Sequence, residues 1–334
     1  SSRLVDPQVT MAMDFERGIP DHCKSFVVMP VLVSSPEAAR QHVDSLERHF
    51  LVNRDPNLLF ALLVDFKDAD QQILPEDDAV IEAAMSCIDA LNQKYGNGRL
   101  VFQLFYRRRQ WNDKQKCWMG WERKRGKLED FNAMLLDEKA NAFEMPIANK
   151  KIFSQIKYII TLDADTEMPQ DTAAQLIGIL EHPLNRPVLD EQGKSIKTGY
   201  AIVQSEIRNR LPAPSAGLFQ AVLSGQAGFD PYATVVSDVY QDMFSEGIYV
   251  GKGIYDLRVF HQLMKNRIPD NEVLSHDLLE GCLTRCAFAG GVKLVDKVPT
   301  SIDSYLKREH RWIRGDWQLL PYLLKPRGLK VLSK

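Results

Sequence analysis

An α/β fold built on a mainly parallel sheet flanked by helices is what this sequence predicts, and three observations predict it. Short, almost wholly apolar runs recur through the first two-thirds of the chain. Helix-patterned segments long enough to serve as crossovers separate them. Acidic residues stand where two of the runs end, at the side of a parallel sheet where ligands bind.

The elements follow in order. Phe26 to Val33 is too apolar for a one-sided strand and suits a sheet covered on both faces. Ser35-Pro36-Glu37 starts a helix, a cap followed by proline in the first turn, and Ala39, Val43, Leu46 and Phe50 continue at helical spacing. Leu58 to Val64 is a second buried run and ends at Asp65. Pro75-Glu76-Asp77-Asp78 opens a longer helix with acids at its positive end, with Val80, Ala84, Cys87 and Leu91 facing inward and Gly96 as its stop. Further runs are Leu100 to Phe105, Tyr158 to Leu162, Ala201 to Ser205 and Val292 to Val298. Loops are expected over 111–121, 183–197 and 208–215. The sheet signal fades after Ser205, so the C-terminal part is expected to be helical and packed on the sheet.

The chain has 334 residues, 45% hydrophobic and 26% charged, a globular balance that excludes a disordered or fibrous chain. Lysine and arginine number 42 against 44 acids, and the resulting charge of −2 gives no support for a nucleic-acid binder. No apolar stretch approaches the ~20 residues that cross a bilayer, and no signal peptide is evident. The first residue is serine rather than methionine, which suggests a piece of something longer. With no internal repeat and no low-complexity linker, one domain is expected over residues 25–325, with an extension over 1–24 and a tail over 326–334.

The cysteines are Cys23, Cys87, Cys117, Cys282 and Cys286. An odd count without a repeated CxxC spacing argues against a disulfide framework, and no second pair completes a zinc site. Cys282 and Cys286, four apart, would share a helix face as small buried hydrophobes.

Four stretches carry chemistry. Tyr158-Ile159-Ile160-Thr161-Leu162-Asp163-Ala164-Asp165-Thr166 sets two carboxylates directly after a buried strand. Hard divalent cations on diphosphates take such oxygen ligands, although aspartates are also common in plain strand-end turns. In Leu274-Ser275-His276-Asp277-Leu278-Leu279-Glu280-Gly281, Ser275 can cap a helix and leave Asp277 in its first turn. There it either acts as a general base or merely complements the helix dipole. Lys307-Arg308-Glu309-His310-Arg311-Trp312 offers a guanidinium fork for phosphate and an aromatic face for a sugar, or else a helix that snorkels its arginines. The stretch from Tyr106 to Lys127 is basic and aromatic. It resembles a single-strand nucleic-acid platform when taken alone, but a basic loop beside a diphosphate site explains it more economically.

In this order the motifs resemble glycosyltransferase family 2, whose GT-A fold carries a strand ending in Pro, an Asp after the second strand, DxD, a TED motif and QxxRW. The matches are Met29-Pro30, Asp65, Asp163-Ala164-Asp165, Ser275-His276-Asp277 and Arg308-Glu309-His310-Arg311-Trp312. Ser-His replaces Thr-Glu before the aspartate, and Arg308 stands where the family has Gln. Longer strings, from about Gly18 to Leu324, are similar to the glucosyltransferase domain of bacterial cyclic β-1,2-glucan synthases. They are Gly18-Ile19-Pro20, Phe229-Asp230-Pro231-Tyr232, Val236-Ser237-Asp238-Val239-Tyr240-Gln241-Asp242, Gly251-Lys252-Gly253-Ile254-Tyr255-Asp256, Ser275 to Gly281 and His310 to Gln318.

That resemblance implies an inverting transferase that moves glucose from UDP-glucose to a growing β-1,2-glucan, with Mg²⁺ or Mn²⁺. It implies Asp277 as base with Glu280 in support, Asp165 and Asp163 on the metal, and Asp163 also near the ribose. Asp65 falls at the uridine, Lys127 near the base or phosphates, and Arg311 on the diphosphate. Trp312, Gly251 and Gly253 fall around the acceptor sugar. The synthases are large inner-membrane proteins with this domain on the cytoplasmic side and a phosphorylase-like module further along. They prime on themselves and close the glucan into a ring. The partners implied are thus a nucleotide sugar, a β-glucan acceptor and the membrane and phosphorylase-like modules of one polypeptide, with no nucleic acid. Two alternatives stay open, a transferase for another β-glucan or a lipid-linked acceptor, and a non-catalytic nucleotide-sugar-binding domain.

Overall fold

The structure, a computed structural model, describes residues 10–139, 141–210, 239–274, 276–297, 299 and 301–324. Ser275, Phe229 to Tyr232 and Val236 to Asp238, singled out above, lie outside the described residues, as does Val298. The chain packs as two compact units, Phe15–Ala164 and the pair of segments Ser1–Asp14 and Asp165–Lys334.

The unit Phe15–Ala164 contains strands β1 (Ser25–Val33), β2 (Leu58–Phe66), β3 (Phe102–Arg107), β4 (Gln110–Asn112), β5 (Cys117–Met119), β6 (Glu144–Ile147) and β7 (Tyr158–Thr161). Its helices are α1 (Pro36–Val52), α2 (Asp77–Tyr95) and α3 (Arg123–Leu135). The sheet order is β6-β3-β2-β1-β7, with β3, β2, β1 and β7 parallel and β6 antiparallel at the edge. This is the expected mainly parallel sheet with crossover helices. Every residue of β2 is buried, as its apolar run requires. Ser35 caps α1 by accepting from the Ala38 amide at 3.2 Å, with Pro36 in the first turn. Phe26, Phe105, Phe131 and Phe143 meet edge-on between the sheet and α3, which fixes how α3 lies over the strand ends. The loop expected over 111–121 is instead largely a small hairpin, because β4 and β5 pair antiparallel with Trp111 opposite Trp118.

The second unit contains β8 (Thr166–Glu167), α4 (Thr172–Glu181), β9 (Val188–Leu189), β10 (Ile196–Thr198), β11 (Ile202–Asn209), α5 (Val239–Phe244), β12 (Gly253–Asp256), α6 (Leu257–Met264), α7 (Asp277–Thr284), β13 (Cys286–Asp296) and α8 (Ile302–Leu324). Its strands run in the order β12-β11-β13-β8, with β11 and β13 parallel and the outer two antiparallel to their neighbours. The helical C-terminal part is α8. The stretch between Ser205 and α8 is less helical than expected, since β12 and the long β13 lie within it. Their glycines interrupt the apolar runs and hide a strand signal. β9 and β10 likewise pair within the segment expected to be a loop over 183–197.

Cys282 and Cys286 do not share a helix face. Arg285, at φ 49°, ends α7 and turns the chain into β13, so Cys286 is buried in a strand while Cys282 is exposed. No helix among the described residues is long and apolar enough to cross a membrane.

Candidate active site

In the unit Phe15–Ala164 the candidate residues gather where β1, β2, β3 and β7 end. Asp65 stands near the end of β2, opposite Arg107 in register, and both are buried. The Arg107 guanidinium donates a two-pronged pair of bonds to the Asp65 carboxylate, at 2.9 and 2.8 Å, and a third bond to Asp130 at 2.8 Å. Lys127, on α3, places Nζ 3.2 Å from Asp65 Oδ2 and donates to the carbonyl of Val31 at 2.6 Å. Burial pushes the Asp65 carboxyl up, but Lys127 and Arg107 together outweigh it and hold it below the usual carboxylate range. Burial dominates for Lys127 and lowers its ammonium to about 8, with Asp65 opposing. Gly120 closes over this group, since a Cβ there would sit 2.5 Å from Asp65 Oδ2.

Asp65 and Lys127 are therefore brought together, within a buried ion network that sequence reasoning did not anticipate. Arg107 and Asp130 escaped notice because only strand register and the lie of α3 connect them to Asp65. The available signal was an arginine at the end of an apolar run, a charge that a buried strand does not carry without partners.

Asp163 follows β7 and is partly exposed, and Lys124 donates to its Oδ1 at 2.5 Å. Lys124 lies on the same helix as Lys127. Three residues earlier on α3, it is the lysine that reaches the DxD motif. Asp165, two residues on and exposed, is the second carboxylate of that motif. Each is an accessible carboxylate, the kind of hard oxygen donor that Mg²⁺ or Mn²⁺ takes.

In the second unit Asp277 is the first residue of α7, with about a third of its side chain exposed. His276 is the N-cap position, and its side chain makes no capping bond. His276 Nδ1 lies 2.9 Å from Glu280 Oε1 and 3.5 Å from Asp277 Oδ1. Asp277 Oδ1 is buried and accepts no hydrogen bond among the described residues. Glu280 thus stands against the imidazole, while Asp277 keeps one oxygen without a hydrogen-bond partner among the described residues. The three side chains are close enough that their ligand atoms, within 4.8 Å of one another, could also hold an ion.

Gly251 and Tyr249 shape the wall around Asp277. Gly251 has φ +86°, and a Cβ there would lie 2.6 Å from Asp277 Oδ1 and 2.9 Å from its Cγ. Tyr249 is buried. Burial first, then Glu280 and Asp277, raises its phenol well above the usual range, so it stays protonated. Gly253 serves differently from Gly251: it begins β12, where a Cβ would meet the Val203 carbonyl at 2.2 Å, and so permits strand contact rather than a turn.

Arg311 and Trp312 lie on α8, Arg311 exposed and Trp312 half-buried. The Arg308 guanidinium sits over the Trp312 ring, 4.9 Å from its centroid. α8 is held to α7 by Tyr322 and Leu319, which join Leu279, Ile268 and Val273 in one apolar cluster. Gln318 adds a bond from the Leu274 amide at 2.8 Å, just before His276. The helix carrying the Arg-Trp pair is thereby anchored to the helix carrying Asp277.

Over 331 residues, 98% of its length, the chain is 40% identical to the cyclic beta-(1,2)-glucan synthase NdvB of Rhizobium meliloti (strain 1021). The chain is a homologue of one segment of that synthase. It spans 12% of the synthase's own length. The likeness drawn from the motifs is thus borne out along nearly the whole chain. No protein-family model matches the sequence. A crystal structure of S. aureus TarS, residues 1–349, overlays on 92% of this chain and 69% of that one, with 12% identity and a TM-score of 0.39.

Proposed function

We propose that the chain is an inverting glycosyltransferase that moves glucose from UDP-glucose to the 2-hydroxyl of a β-1,2-glucan. What supports the reading is the homology to a cyclic β-1,2-glucan synthase segment together with one geometric observation. Asp277 keeps a buried oxygen without a hydrogen-bond partner among the described residues, at the mouth of a turn that only glycine can line.

In this reading the acceptor 2-hydroxyl oxygen bonds to the anomeric carbon while its proton passes to Asp277. The bond from that carbon to the diphosphate oxygen breaks from the opposite face, and UDP leaves with the electron pair. Attack from the far side converts an α-linked donor into a β-linked product. Glu280 and His276 hold the first turn of α7 beside the base. Arg311 neutralises the leaving diphosphate, and Trp312 gives the acceptor ring an apolar face. Asp163 serves the nucleotide, while Asp65 and Lys127, buried and paired with each other and, through Asp65, with Arg107, shape the strand ends rather than touch uridine or phosphate. Mg²⁺ or Mn²⁺, held by Asp165 and Asp163, would supply charge stabilisation for the departing diphosphate. Attachment to membrane and phosphorylase-like modules, at the cytoplasmic face of a bacterial inner membrane, belongs to the same proposal.

The test is incubation with labelled UDP-glucose and a short β-1,2-glucan primer, followed by linkage analysis. Asp277→Asn is expected to abolish transfer and leave UDP affinity nearly intact. Native-rate glucan synthesis by that variant would remove Asp277 from the role of base. Binding of UDP-glucose by the wild-type chain without turnover would make it a nucleotide-sugar-binding domain instead.

A further inference from the structure

Beside the turn that abuts Asp277 lies a cluster that the proposed reaction does not use. Lys252, between Gly251 and Gly253, pairs through Nζ with Asp296 Oδ2, and both side chains are largely buried. The other carboxylate oxygen, Asp296 Oδ1, accepts from the Thr166 hydroxyl at 2.7 Å. Thr166 is buried and directly follows Asp165. The backbone repeats the connection, because Asp296 stands opposite Thr166 where β13 pairs with β8. The Lys297 amide also donates to the Asp165 carbonyl at 3.3 Å.

Asp296 therefore holds two things at once. One oxygen fixes the residue after Asp165, and the other fixes the residue after Gly251, where an added Cβ would meet the Asp277 carboxylate. The turn has a second clamp, since the Val250 amide donates to the side chain of buried Gln204 at 2.9 Å. A salt bridge this sheltered is a poor source of net stability, because desolvation offsets most of its attraction. It is well suited to holding two short segments in register, since both carboxylate oxygens are taken by directional bonds.

We propose that Lys252 and Asp296 are positioning residues that set the Asp165 arm and the Gly251 turn against each other, so that metal-held diphosphate and general base keep a fixed spacing. The proposal rests on the glycosyltransferase reading for its functional consequence, but the bridge itself does not depend on it. Lys252 holds the turn and Thr166 the arm, while Asp296 holds both.

The test uses the full chain and the variants Lys252→Met, Lys252→Arg, Thr166→Val and Asp296→Asn, with two readouts. Amide hydrogen exchange followed by mass spectrometry is expected to rise at 249–253 in Lys252→Met, at 165–168 in Thr166→Val, and at both in Asp296→Asn. Lys252→Arg is expected to restore wild-type protection. In kinetics, Lys252→Met should lose about tenfold or more in kcat while the affinity for UDP with Mn²⁺ is kept. Thr166→Val should weaken that affinity, Asp296→Asn should do both, and Lys252→Arg should recover most of the rate. A uniform loss of stability cannot produce this split. Unchanged exchange at both segments in Lys252→Met and Asp296→Asn would overturn the bridge. Altered exchange with kcat and affinity at wild-type values would overturn its positioning role. If the wild-type chain transfers no glucose, the proposed activity fails by itself, and the exchange measurements still decide the bridge.

Discussion

Replacing Gly251 by alanine tests the geometry around Asp277 most directly. At φ +86° a non-glycine residue pays for its Cβ against its own backbone, about 1–2 kcal/mol. The larger consequence is steric. The new methyl would lie 2.6 Å from Asp277 Oδ1, 2.9 Å from Cγ and 3.0 Å from Oδ2, where ordinary contact begins at 3.4 Å. The carboxylate, or the turn, must give by about 0.8 Å, the difference between 3.4 and 2.6 Å. Asp277 is fixed at the start of α7, and the turn is held by Gln204 and Asp296, so neither partner yields freely. A misplacement approaching 1 Å at a reacting group costs on the order of 10² in rate, or about 3 kcal/mol of barrier. Gly291→Ala is the control, since a Cβ there meets nothing within 4 Å. Glucosyl transfer at saturating UDP-glucose, calorimetric UDP affinity and thermal melting would be measured on both. Gly251→Ala is expected to melt a few degrees lower, bind UDP as the wild type does, and transfer about a hundredfold more slowly. Gly291→Ala should match the wild type. A Gly251→Ala chain with kcat within threefold of wild type would refute the proposed placement of a base against this turn.

Asp165→Ala should weaken UDP binding in the presence of Mg²⁺ or Mn²⁺ and leave metal-free binding unchanged. Equal calorimetric affinities with and without metal for both proteins would remove Asp165 from the metal. Arg107→Met leaves Asp65 with Lys127 and Asp130 with Lys139 as remaining cations, and should still cost about 3 kcal/mol or more in denaturant unfolding, as broken buried pairs do. A loss under 1 kcal/mol would show that the network is not what holds β2, β3 and α3 together. Lys127 carries a pH signature. Its ammonium is lowered to about 8 in the folded chain from 10.5, chiefly by burial, so between those values the unfolded chain binds a proton that the folded chain has released. Stability relative to Lys127→Met should therefore rise with pH across that window, by at most about 3 kcal/mol. A difference that stays flat from pH 8 to 10 would show that Lys127 is not held in that environment.

The sheet was legible because its strands are buried on both faces and so advertise themselves as unbroken apolar runs. β1, β2 and β7 fall where Phe26 to Val33, Leu58 to Val64 and Tyr158 to Leu162 place them. β12 and most of β13 were not legible. Gly253, Gly290 and Gly291 interrupt the pattern, and β13 bears polar residues on one side. The start of α1 could be read from Ser35-Pro36 because capping is a local matter of a few bonds. The separation of Cys282 from Cys286 could not, because it turns on one backbone angle at Arg285.

The same division runs through the site. Sequence alone determined the chemical inventory: two carboxylates after a strand, an aspartate opening a helix, an arginine beside a tryptophan, and a likeness strong enough to name a relative. These are properties of neighbouring residues, and chain order suffices to express them. Only the tertiary structure decided which charges meet. Arg107 grips Asp65 across two strands, Lys124 rather than Lys127 reaches Asp163, the Gly251 turn leaves no room for a Cβ beside Asp277, and Asp296 joins Lys252 to Thr166. Each of these last contacts depends on strand register or on the seating of a helix. Register and seating are set by burial of the apolar faces far from the charges themselves, so the polar pairs follow from the packing of the core rather than from their own sequence positions.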